Sequence, residues 1–410
     1  MPTGKNYRIF YAVQQVGIRP DGAATWQTNH VAHGVQSVGI TTNFNLSQAF
    51  ELGQISIYEN IEEIPDVEVS MTKVLDGNLP LYLMATTGTD VTASLVGRSN
   101  RKCIFGLSIF RDTADSATGA PEQQLECSGM YVSSISYNFP LEDNFSEDVT
   151  LVGNHKSWGN ATTWGNSSIQ SYTGGGNFDG GFEGNNDAPP GSGGVNRRQD
   201  LLMATGWNNE KVKGAEPHTT GLNGFHNYVD VCCFPTDVPG ITGAGALKGM
   251  MTKDDGSNFD AHISSLSVST DLGREQILEL GRKAPYYRYA TFPVEVSCEI
   301  EVTSTSGDLI SATEEGVLTK SSQPGADLGN LEDQTIRIAT AEGLRISLGA
   351  KNKLASVNYG GGDAGGGNST VTYSYTNFND MTVLHSGEGT SVWAARNAAG
   401  TLWVSGSHPG

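Results

Sequence analysis

The stretch ELGQISIYENIEEIPDVEVS (Glu51 to Ser70) returns later in the chain as ELGRKAPYYRYATFPVEVS (Glu279 to Ser297), with its Glu-Leu-Gly opening and its Val-Glu-Val-Ser close both kept. A chain that repeats itself in this way folds as two copies of one unit. Aligning Val35–Ser70 with Ile263–Ser297 needs one inserted residue, Asp66, and gives an offset of 263 − 35 = 228 up to Pro65 and Pro293. A second block agrees: Ser134–Thr150 matches Ser356–Thr372, with Tyr137/Tyr359 and Val149/Val371 both offset by 359 − 137 = 222. Because the blocks keep their order, the duplication covers a whole domain.

Each copy reads as strands. Val35 to Thr42 and Ile263 to Val268 alternate between two sets of side chains, the period of two expected of a half-buried strand. Val67 to Met71 and Val294 to Ile300 repeat the pattern just after a proline, which belongs at a strand start or edge. Further strands are expected at Cys103 to Phe110, Tyr131 to Tyr137, Thr335 to Ala339 and Val371 to Tyr375. Short helices are expected at Leu79 to Thr86 and Asp308 to Gly316. The fold class is mainly β: two tandem antiparallel β-sandwich or barrel domains, each with a short helix, plus a long Gly-rich insertion.

The expected divisions are 1–155 for the first domain, 156–258 for the insertion, 259–385 for the second domain and 386–410 for a C-terminal arm. The insertion contains SYTGGGNFDGGFEGNNDAPPGSGG, a composition unable to pack a core, and reads as a surface loop on the outside of any assembly. Its later part, Tyr228 to Ile241, is apolar and β-branched and is expected to be ordered.

Of the 410 residues, 37% are apolar, yet no run approaches the ~20 residues of a membrane helix, so a soluble protein is expected. MPTGKNYRIFYAVQQ lacks the basic, apolar and small-residue succession of an export signal, which points to assembly in the cytoplasm. Cys103, Cys127, Cys232, Cys233 and Cys298 form no Cys-x-x-Cys and read as buried reduced thiols. Lysines and arginines number 25 against 44 acids, and 25 − 44 = −19 disfavours a protein that grips nucleic acid through its phosphates. The same acidity suits a surface along which DNA slides.

The sequence assigns no catalytic, cofactor-binding or metal-binding residue. Gly360 to Asn368 (GGGDAGGGN) lacks the Gly-Lys-Ser/Thr of a phosphate loop and reads as a hairpin loop. The acidic pairs Glu62/Glu63, Asp254/Asp255 and Glu314/Glu315 read as solvated, since adjacent residues on a strand face opposite ways. His33, His155, His226 and His262 show no metal-ligand spacing. The chain is not expected to be an enzyme.

Gly34 through Asp76, together with HISSLSVSTDLGREQILELGRKAPYYRYATFPVEVSCEIEV, resembles the tail tube proteins of tailed bacteriophages, especially those carrying two tandem tube domains in one chain. The resemblance covers both copies and leaves out the insertion and the C-terminal tail. It implies a structural virion protein of the phage tail, assembled in the host cytoplasm, whose inner strands join those of its neighbours into a barrel lining a DNA channel. Six domains commonly close such a ring, so two per chain imply trimeric rings with pseudo-six-fold symmetry, stacked head to tail. The implied partners are further copies of the chain, a tape measure protein, tail terminator and tip proteins, a sheath, and passing double-stranded DNA bound without sequence preference.

Phe50, Leu52, Gly53, Leu278, Leu280 and Gly281 are candidate turn and contact residues between neighbours. Packing within each domain's own core is the other reading of the leucines, while the glycines suit a backbone geometry that a side chain would obstruct. Asp66, Glu68 and Glu295 are candidate acids of the channel wall, with the outer face of the same strand as their alternative. Two other functions stay open: a tail-tip hub or distal tail protein of the same fold, and a β-sandwich carbohydrate-binding adhesin suggested by the aromatics of TTWGNSSIQSY.

Overall fold

The computed structural model describes residues 8–23, 26, 30–87, 94–110, 121–159, 195, 201–202, 263–281, 285–303, 336–340, 344–349, 351–361 and 367–385. In chain order the strands are β1 (Gln14–Pro20), β2 (Val35–Asn43), β3 (Leu46–Phe50), β4 (Ile57–Glu62), β5 (Asp66–Val74), β6 (Lys102–Ile109), β7 (Gln123–Pro140), β8 (Ser146–Gly153), β9 (His155–Gly159) and β10 (Leu201–Leu202). They continue as β11 (Ile263–Asp271), β12 (Arg274–Ile277), β13 (Tyr287–Ala290), β14 (Glu295–Thr303), β15 (Arg337–Thr340), β16 (Leu344–Ser347), β17 (Lys353–Gly360), β18 (Thr370–Phe378) and β19 (Thr382–His385). Two short helices, α1 (Leu81–Ala85) and α2 (Leu95–Arg98), lie between β5 and β6.

One antiparallel sheet runs through both halves in the order β17-β18-β14-β11-β7-β8-β5-β2. The sheet is continuous between the two expected tandem domains: β11 of the second half pairs with β7 of the first, from Ser265 opposite Pro140 to Asp271 opposite Ser134. Strand β7 is long enough to serve both ends. Its first part pairs with β6 and β9, and its second part with β8 and β11. β1 pairs with β6, and a smaller sheet, β10-β15-β16-β19, and the hairpins β3-β4 and β12-β13 complete the strands described.

Alternation decides which face is buried. Val67, Val69 and Met71 of β5, Ile135 and Tyr137 of β7, Leu266 and Val268 of β11, and Tyr373 and Tyr375 of β18 all enter one apolar cluster, joined by α1 and by Ile338, Ile346 and Val383 of the smaller sheet. Each such side chain contributes about 1.5–3 kcal/mol through burial. Helix α1 lies where the sequence placed it, and all five of its residues are buried. Pro80 offers it no side-chain cap; instead the Glu147 carboxylate accepts hydrogen bonds from the amides of Leu81 (2.6 Å) and Tyr82 (3.1 Å).

The strand registers repeat. β2 and β11 each skip one residue, Gln36 and Ser264, opposite their partners, at an offset of 264 − 36 = 228. β7 and β17 skip Ser133 and Ala355, at 355 − 133 = 222. Thr42 faces Val67 while Thr270 faces Val296, so β5 and β14 correspond at 296 − 67 = 229. Val67 faces Gly153 while Val296 faces Asn377, so β8 and β18 correspond at 377 − 153 = 224. Both values differ by two residues from those obtained by matching the Val-Glu-Val-Ser motif and Val149/Val371. A slip of two keeps every side chain on its face, so the alternating pattern is blind to it.

The hairpin reading of Gly360–Asn368 fits the pairing of Gly360 with Thr370. β9 crosses the expected boundary at residue 155, and β10 attaches part of the insertion to β15 through Leu201 opposite Thr340. The expected helix at 308–316, the stretch 228–241, the loop 174–194 and the arm 386–410 lie outside the described residues. Among the described residues no helix is long and apolar enough to cross a membrane.

Candidate assembly surfaces

Among the described residues the large sheet stops at two strands whose outer edges pair with no further strand. Among the described residues β2 pairs only with β5, and β17 only with β18. Each presents a row of backbone donors and acceptors, which a sheet must cover, pair or blunt. These two edge strands are also the register equivalents of β11 and β7, the strands that pair inside the chain.

The face of the sheet opposite the core is polar. It carries Ser37 and Thr41 of β2, Ser70 and Thr72 of β5, Asp148 and Thr150 of β8, Ser136 and Asn138 of β7, Ser267 and Ser269 of β11, Ser297 and Glu299 of β14, and Thr372 and Ser374 of β18. Hydroxyls tie neighbouring strands: Thr72 donates to Asp148 (2.6 Å), Ser265 donates to Glu301 (3.0 Å), and the Ser269 and Ser297 hydroxyls lie 2.9 Å apart. Asp66, Glu68 and Glu295 all lie on this polar face of the sheet.

Asp66 is not a free surface carboxylate. It accepts hydrogen bonds from Arg288 (2.6 Å), Gln276 (3.0 Å) and Asn45 (2.9 Å), and Arg288 also donates to the Asn154 side chain at 3.1 Å. Partial burial disfavours its charge, but the hydrogen bonds from Asn45, Arg288 and Gln276 and the Arg288 charge prevail and hold its carboxyl below the usual range.

Arg288 and Gln276 belong to hairpin β12-β13, which folds over the end of the first half's sheet. Tyr287 meets Tyr131 edge-on at 5.5 Å between ring centres, and Arg274 donates to the Val132 carbonyl at 2.7 Å. Burial draws the Arg274 guanidinium down to about 10. None of these residues stood out in the sequence. The signal available was a mismatch between the copies, since Arg288 stands where the first copy has Asn60.

The hairpin tips hold the other candidates. Leu52 and Leu280 are fully exposed, at 102% and 106%, and Phe50 and Leu278 are more than half exposed, so the core-packing reading of the leucines does not hold. Gly53 and Gly281 have φ of +95° and +84°, with open space where a Cβ would stand; their constraint is the backbone conformation and not crowding.

Under the sheet, Lys73 and Glu147 are buried opposite each other on β5 and β8. The Lys73 ammonium donates to the His33 carbonyl and to Asp76, both at 2.7 Å, and Tyr137 donates to Glu147 at 2.9 Å. Burial pushes the Glu147 carboxyl up, against the amides of Tyr82 and Leu81 that stabilise its charge. His33 is drawn down to about 4 by burial and by the Lys73 charge, with Asp76 opposing. Cys103, Cys127 and Cys298 are free and buried, and burial raises all three thiols, Cys127 to about 12. Cys232 and Cys233 lie outside the described residues, as do His226, His262 and the acidic pairs at 254–255 and 314–315. Among the described residues no three His, Cys, Asp or Glu side chains are grouped as metal ligands.

No protein-family profile and no curated protein matches the chain. Among solved structures, similarity is found to a chain of the sheath-tube complex of an extracellular contractile injection system, PVC, in its extended state. That match has 10% identity and a TM-score of 0.27, covering 38% of this chain and 93% of that one. A second match is to the tube-terminating cap of the anti-feeding prophage, with 11% identity, a TM-score of 0.28, and coverage of 39% and 97%. A third is to the virion of a native gene transfer agent particle, with 9% identity, a TM-score of 0.20, and coverage of 29% and 80%. At these scores the matches carry no argument, and the functional reading rests on the chain's own geometry and sequence.

Proposed function

We propose that the chain is a structural, non-catalytic subunit that polymerises into the rings of a phage-type tail tube. One observation carries this reading: the two open edges, β17 and β2, are the register equivalents of the two strands that already pair within the chain, β7 and β11. A sheet with complementary edges of this kind extends head to tail, and closing it into a ring leaves no edge unpaired. With two four-stranded units per chain, residues 1–155 and 259–385, three chains make a ring of six units. The exposed tips at Leu52 and Leu280 suit contacts between stacked rings, a heterologous association that grows into a filament.

The polar face then lines the channel. Hydroxyls and carboxylates give a passing duplex few cations to bind, and repulsion acts over about a Debye length, ~8 Å at physiological salt. Glu68 and Glu295 would act on the wall directly, while Asp66 is engaged by Arg288. The fitting partners are further copies, terminator and tip proteins at the ends, a tape measure protein and DNA in the channel, and a sheath outside, all within a virion tail. Native mass spectrometry and cryo-electron microscopy of the purified chain test the reading. Rings of three chains stacked into hollow tubes are expected. A chain that stays monomeric overturns it, rings of six chains overturn the trimer, and single rings that never stack favour a hub protein of the same fold.

A further inference from the structure

The contact inside the chain is also a template for the contact between chains. Hairpin β3-β4 corresponds to β12-β13 at one constant offset: Gln48 pairs with Asn60 as Gln276 pairs with Arg288, and 276 − 48 = 288 − 60 = 228. The two hairpins leave the sheet alike, through Asn45 (φ 45°) and Gly273 (φ 50°), at the same offset. They differ in what covers them. Arg288 and Ala290 of β13 are buried, Arg288 against Asp66 and Asn154 of the first half, whereas every residue of β4 is exposed.

Carrying the internal contact across the open edge replaces each residue by its equivalent. Asp66 becomes Glu295, at 295 − 66 = 229, and Arg288 becomes Asn60. Tyr131 becomes Lys353, at 353 − 131 = 222, and Tyr287 becomes Glu59, at 287 − 59 = 228. Tyr131 and Tyr287 touch within the chain, so their replacements would bring a lysine and a glutamate together. The two charges are opposite in sign.

We propose that hairpin β3-β4 docks on a second copy of this chain, across the start of that copy's β14 and β17, with Glu59 pairing with Lys353 and with Gln48 and Asn60 donating to Glu295. This deepens the ring reading and rests on it. The internal junction is locked by Arg288–Asp66 and an aromatic pair, and the external one by Glu59–Lys353. The two junctions are then chemically distinct, so an external edge does not compete for the internal partner.

The full-length chain tests this, with assembly threshold measured by sedimentation and negative-stain microscopy and folding checked by thermal melts. Glu59→Lys and Lys353→Glu are each expected to raise the threshold concentration at least about tenfold, since each sets like charges together. The double variant Glu59→Lys/Lys353→Glu keeps the net charge and is expected to restore the threshold to within about threefold of wild type. Asn60→Arg is expected to lower it about fivefold by recreating the internal ion pair across the interface, and Glu295→Gln to cancel that gain. Single reversals that assemble like wild type, or a double variant no better than the singles, overturn the docking contact and leave the ring reading standing. A wild-type chain that never assembles overturns both.

Discussion

The two four-stranded units share strand order, bulges and register, yet one equivalent pair of positions carries opposite kinds of residue. Where β5 and β8 set Lys73 opposite Glu147, β14 and β18 set Val302 opposite Val371. In the first unit the buried lysine ties down the His33 carbonyl and Asp76, and the glutamate starts helix α1 and receives Tyr137. Tyr359, the equivalent of Tyr137, is half exposed on the edge strand and donates to Ser369. The backbone registers are therefore satisfied by either chemistry. The polar version organises what lies around it, because buried charges are tolerated only with partners.

The largest test of this contrast is Lys73→Val. It leaves Asp76 and the buried Glu147 without their cation and is expected to cost about 3–5 kcal/mol in urea unfolding. Ile300→Val in the second unit is expected to cost about 0.5–1.5 kcal/mol. The double variant Lys73→Val/Glu147→Val should cost less than the sum of its singles, because one of the two stranded carboxylates is gone. Equal costs for Lys73→Val and Ile300→Val would erase the distinction.

Acid should act mainly on the first unit. His33 titrates near 6.5 when unfolded and about 4 when folded, so the unfolded chain binds the extra proton between those values. Its contribution is complete above pH 6.5, falls as the pH drops toward 4 and is flat below, amounting to at most about 3 kcal/mol. Stability measured across that window should decline less steeply in His33→Gln than in wild type.

Tyr137→Phe removes a hydrogen bond to a buried carboxylate and is expected to cost about 1.5–3 kcal/mol. Tyr359→Phe should stay within about 0.5 kcal/mol, as an exposed substitution. A large loss at Tyr359 would mean that the edge strand is held more firmly than its exposure implies.

Much of the strand content was legible because alternation reports burial directly, as in Val67-Glu68-Val69. Register was not, since Val149 can be matched to Val371 or to Tyr373 without changing faces. The shared sheet escaped for a related reason: a pattern of side chains says which face is buried, and the β7–β11 pairing concerns which edge is joined. Charged residues in the core were invisible as well. Glu147 stands in SEDVT like any surface acid, and only the amides of Leu81 and Tyr82, distant in sequence, reveal its role. The exposed tips were half visible, because the repeated Glu-Leu-Gly marked the turns without saying what they touch.

The pairing of β7 with β11 joins two units that are also one polypeptide, so that seam closes at the effective concentration set by a tether, whereas the proposed β17–β2 seam would form only by collision between chains. In amide hydrogen exchange the isolated chain should therefore protect the β7 and β11 amides that face each other and leave the outward amides of β2 and β17 quick to exchange. A ring of the proposed kind, pulled apart, should fail at alternate seams and release intact chains.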